Sequence, residues 1–251
     1  MKHSSKTFSR PYILLAAFGL LVSLLSSTSE AQNCGRASIC WTHEPQVTTI
    51  PKPPTIWDPS PNFGSRDSLV PVDSIVMHTT EVSLAGTLNI FRNRSNSVSA
   101  HFVIAPNGDI YEMVDTRNRA WHATYYNSRS VGIEMVGYAG FASTWNDQNL
   151  ASLVELLSWL YQAYPEIPLT RPPGNAYSYP NDQFDAPGLV AHGQVQPWNR
   201  SDPGPYFPWN DVMTRVAERL ASVPEPSSLA ISLVGMTFVL GRIRNGRDLN
   251  S

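Results

Sequence analysis

Short apolar runs and helical patterns alternate along residues 73–221, and this alternation constrains the fold more than any other feature of the sequence. Residues 74–78 and 131–136 are rich in β-branched side chains, which indicates buried strands. Between residues 150 and 164 the apolar side chains recur on one helical face, and Pro165 ends the pattern. Further predictions are a hairpin over 101–111, a strand over 189–191, and helices over 84–91 and 209–220. This order predicts one α/β domain.

The charge balance excludes some classes of partner. The chain of 251 residues is 42% hydrophobic and 15% charged, which argues against a wholly disordered protein. Residues 32–223 carry 12 basic and 17 acidic side chains, so this segment has an acidic excess. We therefore expect no nucleic-acid partner.

The N-terminal residues 1–31 are typical of a secretory signal peptide. Lys2, Lys6 and Arg10 form a basic start, and residues 12–25 form an apolar run that is short for a membrane span. Ser29-Glu30-Ala31 then places small residues at the positions that signal peptidase requires. Cleavage after Ala31 is the prediction, and an N-terminal membrane anchor is the alternative.

Residues 32–72 form a proline-rich N-terminal arm, with seven prolines between residues 44 and 72. Because proline fixes φ and removes a backbone donor, the segment is predicted to be an extended linker or an arm that lies partly across the domain surface. Its two cysteines, Cys34 and Cys40, could close a small loop in an oxidising compartment or remain unrelated thiols.

The C-terminal residues 222–251 resemble a PEP-CTERM sorting signal. Pro224-Glu225-Pro226 is followed by an apolar stretch over 229–240 and then by Arg242 and Arg244. The resemblance implies processing or transient membrane anchoring at the cell envelope, and a simple membrane tail is the alternative. Both ends of the chain therefore predict export to the periplasm, the cell envelope or the extracellular space.

Two histidines and an aspartate follow predicted strands and form a candidate metal site. His78 ends the first strand, His192 follows the last strand, and Asp202 lies ten residues further along, before Pro203-Gly204-Pro205. Two imidazoles and a carboxylate can hold zinc and leave its fourth position open. Each of these residues taken alone is more often structural than metal-binding.

Four further residues are candidates for binding or catalysis. Glu134 lies within a strand, where it faces either solvent or a cleft, and beside a metal-activated water it could act as a general base. Arg200 could stabilise an oxyanion or could be an ordinary surface arginine. Trp121 and His122 lie on a loop, where they could contact a ligand or simply pack.

Five motifs together resemble the zinc-dependent N-acetylmuramoyl-L-alanine amidases of the type 2 class, whose fold the peptidoglycan recognition proteins share. The motifs occupy residues 75–80, 98–104, 120–123, 130–134 and 192–205, and the resemblance spans about 73–221. It implies a single mixed β-sheet flanked by helices over an amidase catalytic domain at 73–221. The implied reaction is hydrolysis of the amide bond between N-acetylmuramic acid and L-alanine in peptidoglycan.

The same resemblance assigns roles to individual residues. It implies that zinc is held by His78, His192 and Asp202, and that Glu134 is the general base. Arg200 stands where the family commonly has lysine; it keeps the charge but differs in shape. His122 matches a position that lines the substrate groove in relatives, and the neighbouring Trp121 is a second candidate for contacting muropeptides.

Two other functions fit parts of the pattern. A non-catalytic peptidoglycan-binding module on the same fold commonly lacks a zinc ligand, whereas all three ligands and Glu134 are present here. A zinc peptidase that cuts within the stem peptide usually carries two closely spaced histidines around a glutamate, and the sequence has no such motif.

Overall fold

The computed structural model describes residues 32–33, 39–40, 43–44 and 49–223. The expected signal peptide, Cys34 and all but the first two residues of the expected sorting tail lie outside the described residues. Within the described part of the chain, no helix is both long enough and apolar enough to cross a membrane.

The described chain contains ten short strands and four α-helices. In chain order the strands are β1 (Gln32–Asn33), β2 (Ile39–Cys40), β3 (Ile56–Trp57), β4 (Phe63–Ser65), β5 (Ser74–Thr79), β6 (Phe102–Ile104), β7 (Ile110–Glu112), β8 (Asn118–Ala120), β9 (Ser130–Met135) and β10 (Gly188–Ala191). The helices are α1 (Leu84–Arg92), α2 (Asp147–Ala163), α3 (His192–Val195) and α4 (Trp209–Ala221).

Six of these strands form one mixed sheet in the order β10-β5-β9-β6-β7-β3. β10, β5, β9 and β6 run parallel to one another, and β7 returns antiparallel to β6 through a tight turn. The pairs β1–β2 and β4–β8 form two small antiparallel sheets of their own. The expectation of a single mixed sheet flanked by helices is confirmed for the main sheet.

One face of the main sheet carries the largest hydrophobic core, which α2 and α4 cover. Alternate residues such as Ile75, Met77 and Ile133 point to this side and are fully buried. The predicted helix over 150–164 begins earlier, at Asp147, because Asn146 caps it. The Asn146 side chain accepts hydrogen bonds from the backbone N–H groups of residues 148 and 149, and the Asn149 side chain bonds back to Asn146.

The opposite face of the sheet carries two smaller apolar clusters and the polar side chains of the predicted site. Helix α1 packs there with Leu88 and Phe91 against Val103. Because side chains alternate along a strand, the residues that follow Ile75 and Met77, namely Val76 and His78, point to this face. The alternation of side chains along β5 therefore places the hydrophobic core on one face of the sheet and the predicted site residue His78 on the other.

The N-terminal arm packs against the domain from Ile50 onward. β3 extends the main sheet along the edge of β7, and β4 pairs with β8. Ile50 and Arg66 are buried, and Lys52 donates to both carboxylate oxygens of Glu112 in β7. The domain boundary at residue 73 stays a prediction. Residues 50–72 pack against the domain and are therefore not an independent linker.

Arg66 is the most deeply anchored residue of the arm. Its guanidinium donates to the carbonyl oxygens of Thr116, Asn127, Ser128 and Ser130 at 2.9–3.2 Å, and it is 7% exposed. A buried cation with this many acceptors is stabilising only while every acceptor is satisfied.

We expect Arg66→Met to lower the free energy of unfolding by about 3 kcal/mol or more, because it leaves several buried carbonyl groups without donors. Urea unfolding followed by circular dichroism measures the change. Arg94→Met, at an exposed arginine, is the control and should stay within about 0.5 kcal/mol of wild type. Equal stability of the two variants would show that the Arg66 contacts contribute little.

Candidate metal centre and active site

The carboxyl ends of three neighbouring parallel strands bring the predicted site together. In the register of β5 and β9, His78 lies directly beside Glu134. In the register of β10 and β5, Ala191 pairs with Met77, so His192 follows at the level of His78. Side chains that the sequence separates by more than a hundred positions therefore meet at one edge of the sheet.

His78, His192 and Asp202 form a compact cluster that could hold a metal ion. The Nδ1 atoms of the two histidines are 2.9 Å apart, and Asp202 Oδ2 lies 3.1 Å from His192 Nδ1 and 3.3 Å from His78 Nδ1. All three side chains are buried. The loop that carries Asp202 is held to α3, because the Gly193 N–H donates to the Asp202 carbonyl oxygen.

Burial keeps His78 in the ionisation state that suits a metal ligand. Burial, reinforced by His192, lowers the pKa of His78 to about 4, so the ring is neutral at pH 7 and has a free lone pair. A neutral imidazole is the form in which histidine binds a metal.

Glu134 presents a carboxylate oxygen that has no hydrogen-bond partner among the described residues. Its Oε2 atom is buried and unpaired. Burial, and then repulsion from Asp202 and Glu81, raises the pKa of Glu134 to about 8, while Arg200 opposes the shift. A carboxyl group with a pKa near neutrality can both accept and return a proton, as a general base must.

Glu81 is a second carboxylate at the rim that sequence reasoning did not identify. It follows β5 with a left-handed backbone (φ 55°), and it accepts hydrogen bonds from the Thr79 hydroxyl and the Ala139 N–H. These bonds tie the loop after β5 to the loop after β9. A non-glycine residue at positive φ beside a site is a sign of local constraint.

A cavity of about 440 Å³ opens over the cluster. An apolar wall of the cavity contains Phe91, Val98 and Trp121, and the polar lining contains Glu134 and Arg200 with the His78–His192–Asp202 cluster. The cavity is open to solvent on one side, which suits an extended substrate better than a small enclosed ligand.

The remaining predicted site residues all lie at this cavity but differ in their contacts. Trp121 is half-buried in the apolar wall. Arg200 is exposed at the rim, and its guanidinium donates to the backbone carbonyl of Asn199. His122 borders the cavity and also contacts His78, with 3.1 Å between His122 Nδ1 and His78 Nε2.

The sequence analysis did not predict that His192 has a buried partner, Gln196. Gln196 is buried, and its Oε1 lies 2.8 Å from Nε2 of His192. The available signal was the spacing, because residues four apart on a helical turn lie on the same face.

Comparison with known protein families gives a match over most of the domain. The family model described as N-acetylmuramoyl-L-alanine amidase matches residues 68–205, more than half of the chain. The chain therefore belongs to the N-acetylmuramoyl-L-alanine amidase family. The expected fold and the expected enzyme class are confirmed by this match.

Two curated relatives illustrate the range of the family. N-acetylmuramoyl-L-alanine amidase A of Achromobacter lyticus is 33% identical over 165 residues, which cover 62% of this chain and 89% of that enzyme. The 1,6-anhydro-N-acetylmuramyl-L-alanine amidase AmpD of Haemophilus influenzae is 30% identical over 127 residues, which cover 47% of this chain and 59% of that protein.

Two solved structures share the fold. A crystal structure of a Se-Met AmpD derivative superposes with a TM-score of 0.50 at 24% identity, covering 64% of this chain and 93% of that chain. The Staphylococcus aureus hydrolase AmiA, in complex with its ligand, gives a TM-score of 0.50 at 18% identity, covering 70% and 93%.

Replacing Glu134 with glutamine should remove a pH-dependent loss of stability. The folded protein keeps the carboxyl proton up to about pH 8, whereas the unfolded chain releases it near 4.5, so ionisation destabilises the folded state as the pH rises between these values. With a chelator present, we expect the stability advantage of Glu134→Gln over wild type to grow by at least about 1 kcal/mol between pH 5 and pH 8.5.

Urea unfolding at the two pH values measures this difference. Glu166→Gln removes an exposed carboxylate and serves as the control, which should follow the pH dependence of wild type. Parallel pH dependences for wild type and Glu134→Gln would contradict the assigned state of the buried carboxyl group.

Proposed function

We propose that this amidase hydrolyses the amide bond between N-acetylmuramic acid and L-alanine in peptidoglycan with a zinc ion held by His78, His192 and Asp202. The observation that carries the proposal is the convergence of these three ligand atoms, all within 4.8 Å of one another, beside the unpaired carboxylate of Glu134. Family membership supplies the reaction class, and the site supplies the residues that would perform it.

The donor set fits zinc in kind and in spacing. Two imidazole nitrogens and one carboxylate oxygen form a three-ligand set of the catalytic type. A tetrahedral ion with bonds of about 2.0–2.1 Å separates its ligand atoms by about 3.3 Å, and the three separations here are 2.9, 3.1 and 3.3 Å. When bound, zinc would supply Lewis acidity at this edge of the cavity.

The protein's own side chains would carry the proton and position the substrate. Glu134 would take a proton from the attacking water on Oε2 as the water oxygen bonds to the lactyl carbonyl carbon. It would then return that proton to the L-alanine nitrogen as the C–N bond breaks. Arg200, at the rim, would turn toward the carbonyl oxygen and stabilise its developing negative charge.

The apolar wall of the cavity would bind the sugar side of the substrate. Trp121 presents an aromatic surface beside Phe91 and Val98, and aromatic rings commonly pack against the apolar faces of ligands. His122 stays a predicted substrate contact on the same side of the cavity. A muropeptide lying across the cavity would then place its scissile amide at the metal cluster.

A matched pair of variants separates metal binding from proton transfer. We expect Asp202→Ala to lose stoichiometric zinc, because it removes a ligand, and Glu134→Gln to keep zinc but lose at least about 100-fold in kcat. Zinc content by atomic emission and turnover of a defined disaccharide–tetrapeptide give both values. Near-normal turnover by Glu134→Gln would contradict the base assignment.

Mass spectrometry of the products identifies the bond that is cut. The proposal requires a free stem peptide beginning with L-alanine and a sugar product that bears the lactyl carboxylate. A cut within the stem peptide would instead indicate a peptidase. Zinc binding without any cleavage would indicate the non-catalytic peptidoglycan-binding alternative.

We also propose that the protein is exported and processed at both ends. The basic start, apolar run and small residues of 1–31, together with the PEP-CTERM-like order of parts in 222–251, support this proposal. N-terminal sequencing and intact-mass measurement of protein from envelope and medium fractions should show a chain that begins at Gln32 and lacks part of the tail. A full-length chain confined to the cytosol would contradict export.

A further inference from the structure

In His78 and His192, the ring nitrogen that faces away from the candidate metal site meets another side chain, namely His122 and Gln196 respectively. A histidine binds a metal through a nitrogen that carries no proton, so a neutral ligand ring must carry its proton on the other nitrogen. Which nitrogen carries the proton is decided by the partner that each nitrogen meets. His78 and His192 must therefore both be protonated on Nε2 if their Nδ1 atoms are to bind zinc.

We infer that His122 and Gln196 are positioning residues, which hold the protons of His78 and His192 on Nε2 and so leave both Nδ1 atoms ready for zinc. The inference rests on the proposed role of His78, His192 and Asp202 as metal ligands. It assigns His122 a second contact, behind the metal cluster, in addition to its place at the cavity.

With the Gln196 amide oriented as it is, the hydrogen bond between Gln196 and His192 can have only one direction. The Gln196 Oε1 atom is a carbonyl oxygen and can only accept, and it lies 2.8 Å from His192 Nε2. His192 Nε2 is therefore the donor. The His192 Nδ1 lone pair then points at His78 Nδ1 and Asp202 Oδ2.

The contact between His122 and His78 is part of a hydrogen-bond relay that runs from Ser130 through His122 to His78. A backbone carbonyl sets the direction of this relay. The Ser130 hydroxyl donates its hydrogen to the carbonyl oxygen of Tyr126 at 2.7 Å, so Ser130 Oγ is left as an acceptor toward His122 Nε2 at 3.4 Å. With the His122 proton on Nε2, His122 Nδ1 accepts from His78 Nε2 across 3.1 Å. The reverse arrangement would place a proton on His78 Nδ1, where it blocks the metal.

A glycine in β9, Gly132, leaves room for the His122 ring. A Cβ atom at Gly132 would lie 2.6 Å from His122 Cγ and 2.7 Å from His122 Nδ1, closer than real contacts allow. Gly132 lies two pairs before the His78–Glu134 pair in the β5–β9 register. The glycine in β9 is thus required by the close approach of the histidine that supports His78.

Zinc affinity measured without substrate tests the inference. We expect His122→Leu and Gln196→Met to raise the zinc dissociation constant by about 10–100-fold in competition with a chromophoric chelator. His122→Asn keeps an acceptor near the position of Nδ1 and should recover most of the affinity. Gln194→Met, two residues away, is the matched control: its side chain bonds the carbonyls of Pro172 and Gly174 and the N–H of Ala191 but neither histidine ring, so its zinc affinity should equal that of wild type.

The tautomer itself can be read from the zinc-free wild-type protein by long-range ¹H–¹⁵N spectra, which need no variant to fold. We expect the His78 proton on Nε2, and we expect a mixture of tautomers in His122→Leu. A proton on His78 Nδ1 in wild type, or an unchanged zinc dissociation constant for His122→Leu with only KM increased, would overturn the inference. A wild-type protein that binds no zinc would instead overturn the proposed function, while the spectra would still report the relay.

Discussion

The parallel pairing of β10, β5 and β9 is the constraint on which the site depends. In a parallel sheet the carboxyl ends of neighbouring strands share one edge, so the register alone decides which residues meet there. Here it places His78 beside Glu134 and brings His192 to the same level. A shift of one residue in β5 would turn His78 into the core under α2 and bring Met77 to the cavity, so packing of the core face also fixes the site.

The site concentrates polar groups that weaken the folded state. The Glu134 carboxyl group is buried with an unpaired oxygen, and the His78 ring is kept neutral by burial. Such groups are retained where chemistry requires them and are offset by packing elsewhere. The offset lies on the other face of the same strands, where Ile75, Met77 and Ile133 are fully buried beneath α2 and α4.

Local patterns were enough to predict the main secondary-structure elements, whereas the assignment of the metal ligands stays a prediction. The strand over 74–78 and the helix over 150–164 are confirmed because burial on one face dictates a period that can be read directly. The grouping of His78, His192 and Asp202 as a candidate metal site came from their positions after predicted strands, and the resemblance added their assignment as zinc ligands. The spacing of Gln196 from His192 is a signal for their contact, but the relay behind His122 could not be predicted, because a hydrogen-bond partner depends on tertiary placement to within about an ångström.

The proline-rich arm shows most clearly that local sequence patterns do not predict tertiary contacts. Its composition indicates an extended segment, but composition does not reveal the contacts of Arg66, whose guanidinium donates to four carbonyl oxygens and lies 3.0 Å from His101 Nε2. His101 stacks edge-on against His122 at 5.7 Å, and His122 against His78 at 5.2 Å between ring centroids. The arm is therefore joined to the His78–His192–Asp202 cluster by a continuous line of side chains, of which His122 is only partly buried. Because His101 Nδ1 accepts from the Gly132 N–H, its proton lies on Nε2 and is donated to the carbonyl oxygen of Asn118, so the ring is held by backbone groups and Arg66 packs beside it.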